Sequence, residues 1–229
     1  MTENKNHLGC VNLVPIFNHL DKESQDKCAS KAYSKKIKRN EYLYQAGDLD
    51  DSLYIVHQGQ VRITYLAESG KEQLIRLLNP GDFTGEWTIF SEESYHENYA
   101  QATRETSICA ISKQNFDELL TEYPKISRKI LKIMANRLQE SQKQTSSIST
   151  EDVRNRIIYY LENLANSGFE DETTLELPMS RKDLASYLGT TAETISRKFK
   201  ELEEEGLIRP LVKNKIHIPS VEKLLFATD

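Results

Sequence analysis

Between Ser180 and Leu207 the chain reads SRKDLASYLGTTAETISRKFKELEEEGL, and Glu193, Ser196, Arg197 and Lys200 recur in it at helical spacing on one side. These are side chains that read a base pair from the major groove. Arg donates two parallel hydrogen bonds to guanine O6 and N7, Glu accepts from cytosine N4, and Ser serves either role over a short reach. Glu193 and Arg197 are one turn apart, so both can address the partners of a single G·C pair. Lys200, a further turn along, suits phosphate. Thr190, Thr191, Arg181 and Lys182 complete the candidate DNA-binding set. An ordinary amphipathic helix pair with a solvated polar face has the same pattern, so the reading depends on the elements around it.

Those elements are legible. Ser180 with Asp183 has capping-box spacing, and Leu184, Ala185 and Leu188 give a short helix one apolar face before Gly189 ends it. Thr191, or Thr190 paired with Glu193, caps a second helix whose Ile195, Phe199 and Leu202 form the buried side. Together they make a helix-turn-helix. Upstream, residues 151–165 predict an amphipathic helix with Val153, Ile157, Tyr160, Leu161 and Leu164 inward, and residues 174–178 a strand. Downstream, residues 207–213 and 215–219 alternate around Lys213-Asn214 as a hairpin, the wing of a winged helix. Lys213 and Lys215 there either touch phosphate or form a solvated turn.

The stretch AETISRKFKELEEEGLI resembles the recognition helix of the CRP/FNR family of bacterial transcription regulators, in its FNR-like branch. The resemblance puts the branch's Glu, Ser and Arg at Glu193, Ser196 and Arg197 and implies a TTGA-type half-site. The cAMP-binding branch carries an Arg just before the Glu; Ala192 stands there in this chain, against a TGTGA-type half-site.

From about Ser34 to Ile111 short apolar or alternating runs are bounded by turn residues, as in SLYIVHQGQVRITYL and EQLIRLLNPGDF. They predict a small β-barrel or jelly roll. QAGDLDDSLYIVHQGQVRI, with Gly47, Asp48 and Gly59 at turns, is similar to the cyclic-nucleotide-binding barrel. The expected fold is therefore α+β: an N-terminal leader over residues 1–30, a sensory β-barrel of the jelly-roll type over 31–122, a dimerisation helix and hinge over 123–148, and a winged helix-turn-helix over 149–229. In cAMP sensors a Gly-Glu pair holds the ribose and an Arg-Ser pair the phosphate. Gly85-Glu86 matches the first, while Asn98-Tyr99 stands where the second belongs. The four residues form the candidate effector pocket, and a cyclic nucleotide is not expected in it.

The chain has three cysteines, Cys10, Cys28 and Cys109, too few for a four-thiolate iron–sulfur cluster. By the resemblance, Cys109 falls at the barrel-borne cluster ligand of FNR, and Cys10 precedes a patch like that after its N-terminal ligands. One leader and one barrel cysteine without a cluster set is similar to the FNR-like proteins of lactic acid bacteria, in which such a pair can form an intramolecular disulfide. Closing that loop of about 100 residues is worth up to ~4.7 kcal/mol on the chain-entropy account. In a reducing cytosol a reversible, sensing bond is the form that makes sense. Both a thiol switch and two inert small hydrophobes remain open for Cys10 and Cys109; Cys28 is read as a buried small hydrophobe.

Ser112 caps a helix, and Pro124 opens a long one to about Ser147. Ile126, Ile130, Ile133 and Arg137 follow four-three-four spacing and are the expected dimer-helix positions, with Leu131, Met134 and Leu138 on a neighbouring stripe. Two stripes suit one face on the chain's own barrel and one on a second copy; the polar run QESQKQTSSIST reads as the hinge. A two-fold dimer would present its recognition helices about 34 Å apart, one turn of DNA.

In 229 residues, 30 Lys and Arg stand against 35 Asp and Glu, so DNA must be met through a local cluster of Arg181, Lys182, Arg197, Lys198 and Lys200. No apolar run spans a bilayer and residues 1–9 are polar, so a cytoplasmic protein without a membrane partner is expected. Phosphate loops, metal-ligand spacing among the five His, and nucleophile triads are lacking, so no enzyme, metal or other cofactor is expected. The expected partners are double-stranded DNA, a second copy and RNA polymerase. Two alternatives stand beside a redox-responsive regulator: the same DNA function with glutathione, another metabolite or no effector, and an interaction module without DNA affinity.

Overall fold

The structure, a computed structural model, describes residues 11–92, 95–165, 172–212 and 214–228. The chain divides into two compact units between Arg137 and Leu138.

In the N-terminal unit, helix α1 (Lys22–Ser30) starts where the Asp21 carboxylate accepts from the Ser24 N–H. Strands β1 (Tyr33–Ile37), β2 (Tyr42–Tyr44), β3 (Ser52–Gln58), β4 (Val61–Leu66), β5 (Glu72–Leu78) and β6 (Phe83–Thr84) lead to a short helix α2 (Glu86–Phe90), then β7 (Tyr99–Ala102) and β8 (Thr106–Ser112). They form two four-stranded antiparallel sheets, ordered β1-β8-β3-β6 and β2-β7-β4-β5. The predicted barrel is thus a jelly roll of two sheets rather than a closed cylinder.

Its continuous apolar strands are explained by burial on both faces. On β3, Leu53 and Ile55 enter one apolar cluster while Tyr54 and Val56 enter another; on β8, Cys109 and Ile111 alternate in the same way with Ile108 and Ala110. The cluster holding Cys109 also takes Val11, Val14, Ile16 and Phe17 of the leader, Phe116 and Leu119 of α3 (Lys113–Glu122), and Ile126 and Ile130 of α4 (Lys125–Thr150). Gly85 turns the chain from β6 into α2 at φ +90°, and a Cβ there would overlap the Ser52 carbonyl, so only glycine fits.

Helix α4 carries the positions expected at a dimer contact. Ile126 and Ile130 are buried and Ile133 partly buried in their own unit, and Arg137 is bonded to Glu86. On the neighbouring stripe Leu131 and Leu138 are exposed, at 68% and 61%. The long helix expected to about Ser147 runs through Thr150 and includes the polar run read as the hinge. Its hydroxyls are satisfied locally: Thr145, Ser149 and Thr150 each donate to the carbonyl four residues back.

In the C-terminal unit, α5 (Val153–Ala165), β9 (Thr173–Glu176), α6 (Arg181–Tyr187), α7 (Ala192–Glu204), β10 (Arg209–Pro210), β11 (Lys215–Ile218) and α8 (Val221–Phe226) follow one another. The strands make an antiparallel sheet ordered β10-β11-β9. One core joins Ile157, Ile158 and Leu161 of α5, Leu184 of α6, Ile195, Phe199 and Leu202 of α7, and Leu224 of α8. No helix among the described residues is long and apolar enough to cross a membrane.

Candidate nucleic-acid interface

Helix α6 begins at Ser180, whose Oγ accepts from the Asp183 N–H and donates to Asp183 Oδ2 at 2.7 Å. It ends at Gly189, with φ +67°; a Cβ built there would come within 3.2 Å of Ile148 Cδ1, so bulk at the turn is restricted as well as handedness. Gln144 Nε2 donates to the Tyr187 carbonyl at 2.8 Å, so the end of α4 is fixed against the end of α6. Thr191 then caps α7, accepting from the Thr194 N–H at 3.2 Å; of the two threonines expected as the cap, this is the one used.

With Ile195, Phe199 and Leu202 buried, Glu193, Ser196, Arg197 and Lys200 are all exposed on the other side of α7. Their charges are held loosely. Arg197 Nε lies 4.0 Å from Glu201 and Lys200 Nζ 3.5 Å from Glu204, both on the same helix and in solvent. Such pairs are worth a few tenths of a kcal/mol, on the order of 0.3–0.5, so either cation can turn to a stronger anion. Ser196 Oγ donates to the Ala192 carbonyl at 2.9 Å, and the residue is exposed.

The wider basic cluster separates into parts. Lys182 is exposed. Arg181 lies with its guanidinium 3.5 Å from the Phe199 ring centroid, and burial lowers its pKa, so it helps seat α7. Lys198 is engaged by Glu201 at 2.7 Å. Thr190 is half-buried at the turn, its N–H donating to the Ala185 carbonyl. Lys215 is exposed on β11, and Lys213 lies outside the described residues.

One side chain that positions this face has no sequence motif. Arg154 on α5 makes a bidentate ion pair with Glu205, the residue that closes α7, at 2.8 and 2.6 Å. The spacing of 51 residues hides it from any local pattern.

In the jelly roll, Gly85 and Glu86 stand at the start of α2, and Asn98 and Tyr99 at the start of β7 on the other sheet. Glu86 Oε1 accepts from Arg76 Nη2 at 2.6 Å and from Arg137 Nη1 at 2.8 Å. Burial alone would push this carboxyl up; the two guanidinium groups outweigh it and hold the pKa below the ordinary carboxylate value. Arg137 also donates to the Phe83 carbonyl at 2.8 Å, with its guanidinium 4.4 Å from the Phe83 ring. Arg76 is a member of this cluster that the motif comparison missed. Tyr99 packs edge-on to Tyr42, with ring centroids 6.0 Å apart.

Cys109 is buried on β8 and disulfide-bonded. Cys10 lies outside the described residues. Cys28 is a free, fully buried thiol whose pKa burial pushes up to about 11.

Residues 34–123 match the cyclic nucleotide-binding domain family, and residues 155–226 the Crp-like helix-turn-helix domain family. The chain is 33% identical over 202 residues, 87% of its length and 89% of the relative's, to the "Probable transcriptional regulator flp" of Lacticaseibacillus casei. It is 30% identical over 222 residues, 94% of its length and 89% of the relative's, to the "Transcriptional activator protein Anr" of Pseudomonas protegens. The solved structure of FixK2 from Bradyrhizobium japonicum superposes with a TM-score of 0.74 at 22% identity, covering 86% of this chain and 98% of that one, a likeness of fold.

Proposed function

Because the chain belongs to the CRP/FNR family of bacterial transcription regulators, DNA-binding proteins and not enzymes, we propose that it is a cytoplasmic homodimer that reads a TTGA-type palindrome with α7. We propose further that the oxidation state of Cys10 and Cys109 governs that binding, with RNA polymerase as the downstream partner. The observation that carries the DNA reading is the outer face of α7. Glu193, Ser196 and Arg197 project from a helix whose opposite face is locked into the core and whose first turn is capped by Thr191.

The thiol reading is supported by three observations. Cys109 is disulfide-bonded and Cys28 is free. Cys109 also shares its apolar cluster with Val11, the residue after Cys10. Oxidation would remove two protons and two electrons from the thiol pair and tie the leader to β8; reduction would release it. The reading includes no four-iron cluster, for which three cysteines are too few, and no cyclic nucleotide, since Glu86 is already neutralised by Arg76 and Arg137.

A second reading keeps the DNA function but gives the jelly roll a small polar effector. It is favoured by Glu86 Oε2 and Arg76 Nε, both buried without hydrogen-bond partners. Gel shifts on a TTGA palindrome and on scrambled DNA, in oxidising and reducing buffers, test both. Preference for the palindrome with a redox response that Cys109→Ser abolishes supports the thiol reading. Preference for the palindrome with the response intact in Cys109→Ser rejects it in favour of an effector. No preference in either buffer at low salt rejects the DNA reading.

A further inference from the structure

Resting on the homodimer reading above, we propose that the dimer surface of the N-terminal unit extends beyond α4 to α2, and that Trp87 and Phe90 are covered there by a second copy of this chain. Helix α2 buries Thr88 and Ile89 and leaves Trp87 and Phe90 half-exposed, at 57% and 52%, Phe90 resting one edge on Phe116 with ring centroids 6.2 Å apart. An exposed tryptophan beside an exposed phenylalanine is uncommon on a surface with no partner, whereas both types are enriched where chains meet. Glu86, the residue before Trp87, is bonded to Arg137, so the outward ring stands one residue from the point where α2 meets α4.

Helix α4 itself points to the same occupant. On one flank of its inward stripe lie Leu131, Met134 and Leu138, with Leu131 and Leu138 well exposed. On the other flank lie Lys125, Lys129 and Lys132, all exposed. A heptad step between Leu131 and Leu138 suits a like helix, and the apolar flank can meet its own copy without bringing the lysine flanks together. The apolar part of the stripe is short, because Ser141, Gln142 and Thr145 continue it. Two turns of helix fall well below the roughly 800 Å² per partner that a stable interface buries. Two half-exposed aromatic rings add on the order of 200 Å² to each side.

Trp87 is the only tryptophan in the chain, so its emission reports this surface alone. The full-length protein is diluted through its dimer dissociation constant with sedimentation in parallel, and Leu131→Glu supplies the monomer reference. Dissociation is expected to move Trp87 emission to the red and raise its quenching by acrylamide. Trp87→Ser, with unchanged circular dichroism, is expected to raise the dimer Kd by about tenfold or more. A dimer whose Trp87 is as quenchable as in the monomer, and whose Kd Trp87→Ser leaves in place, overturns the inference and leaves the homodimer standing. A chain that remains monomeric overturns both. Protection of Trp87 only on adding DNA or RNA polymerase overturns the inference and assigns the surface to that partner.

Discussion

In the N-terminal unit the charges of Glu86, Arg76 and Arg137 are turned inward and answer one another, whereas on α7 the charges of Glu193, Arg197 and Lys200 stand in solvent with weak partners at best. The contrast follows from what desolvation does. A charge taken out of water needs a fixed partner, and once it has one it holds its neighbours in place. A charge left in water is cheap to redirect and so stays available for another molecule. The first arrangement fits a frame and the second a reader.

The largest way to break this contrast is to remove the inward acid. Glu86→Ala leaves two half-buried guanidinium groups facing each other and is expected to destabilise the N-terminal unit by about 3 kcal/mol, read by denaturant unfolding. The pH dependence has a definite sign. The folded pKa of Glu86 lies below the ordinary carboxylate value, so its contribution is present above that ordinary value and is lost as pH falls through the folded one. A shallower loss of stability with falling pH in Glu86→Gln than in the parent agrees; an identical acid slope in both proteins contradicts the assignment.

Next comes the outward charge. Arg197→Ala is expected to lose about 1–3 kcal/mol of specific DNA binding and relax preference at one base pair, with unfolding unchanged. Lys200→Ala should weaken all sequences alike and lower the salt slope by about 1. Equal losses on specific and random DNA for Arg197→Ala would remove it from the reading set. A smaller effect sharpens the role of the frame beneath the reader: Thr191→Ala removes the α7 cap and should lower stability of the C-terminal unit by about 1 kcal/mol in thermal or urea unfolding. The smallest concerns Cys28. With its thiol pushed up to about 11 and no exposure, iodoacetamide at pH 8 should leave it unmodified in the folded protein and label it only in denaturant, as mass spectrometry would show.

Much of the C-terminal unit could be read locally because its signals are local. The caps at Ser180 and Thr191, the glycine at 189 and the period of Ile195, Phe199 and Leu202 all act within a few residues of where they sit. The jelly roll was legible as strands, but their apolar runs cannot say which face meets which layer; β8 divides Cys109 and Ile111 from Ile108 and Ala110 only once both layers are present. Periodicity on α4 likewise found two stripes without saying which one turns inward. In the polar run at its end, composition does not reveal that hydroxyls bond back to their own helix.

The amino-acid order by itself therefore settled the helix-turn-helix, which side of its second helix is buried, the strands before it and the family to which they belong. Tertiary structure alone decided that Glu86 is gripped by Arg76 and Arg137, that Arg154 anchors the end of α7 through Glu205, and that Arg181 lies on Phe199. Each of those contacts joins residues too far apart in sequence for spacing to register. Their partners are chosen by which surfaces the packed cores bring together, and burial then makes the pairing necessary.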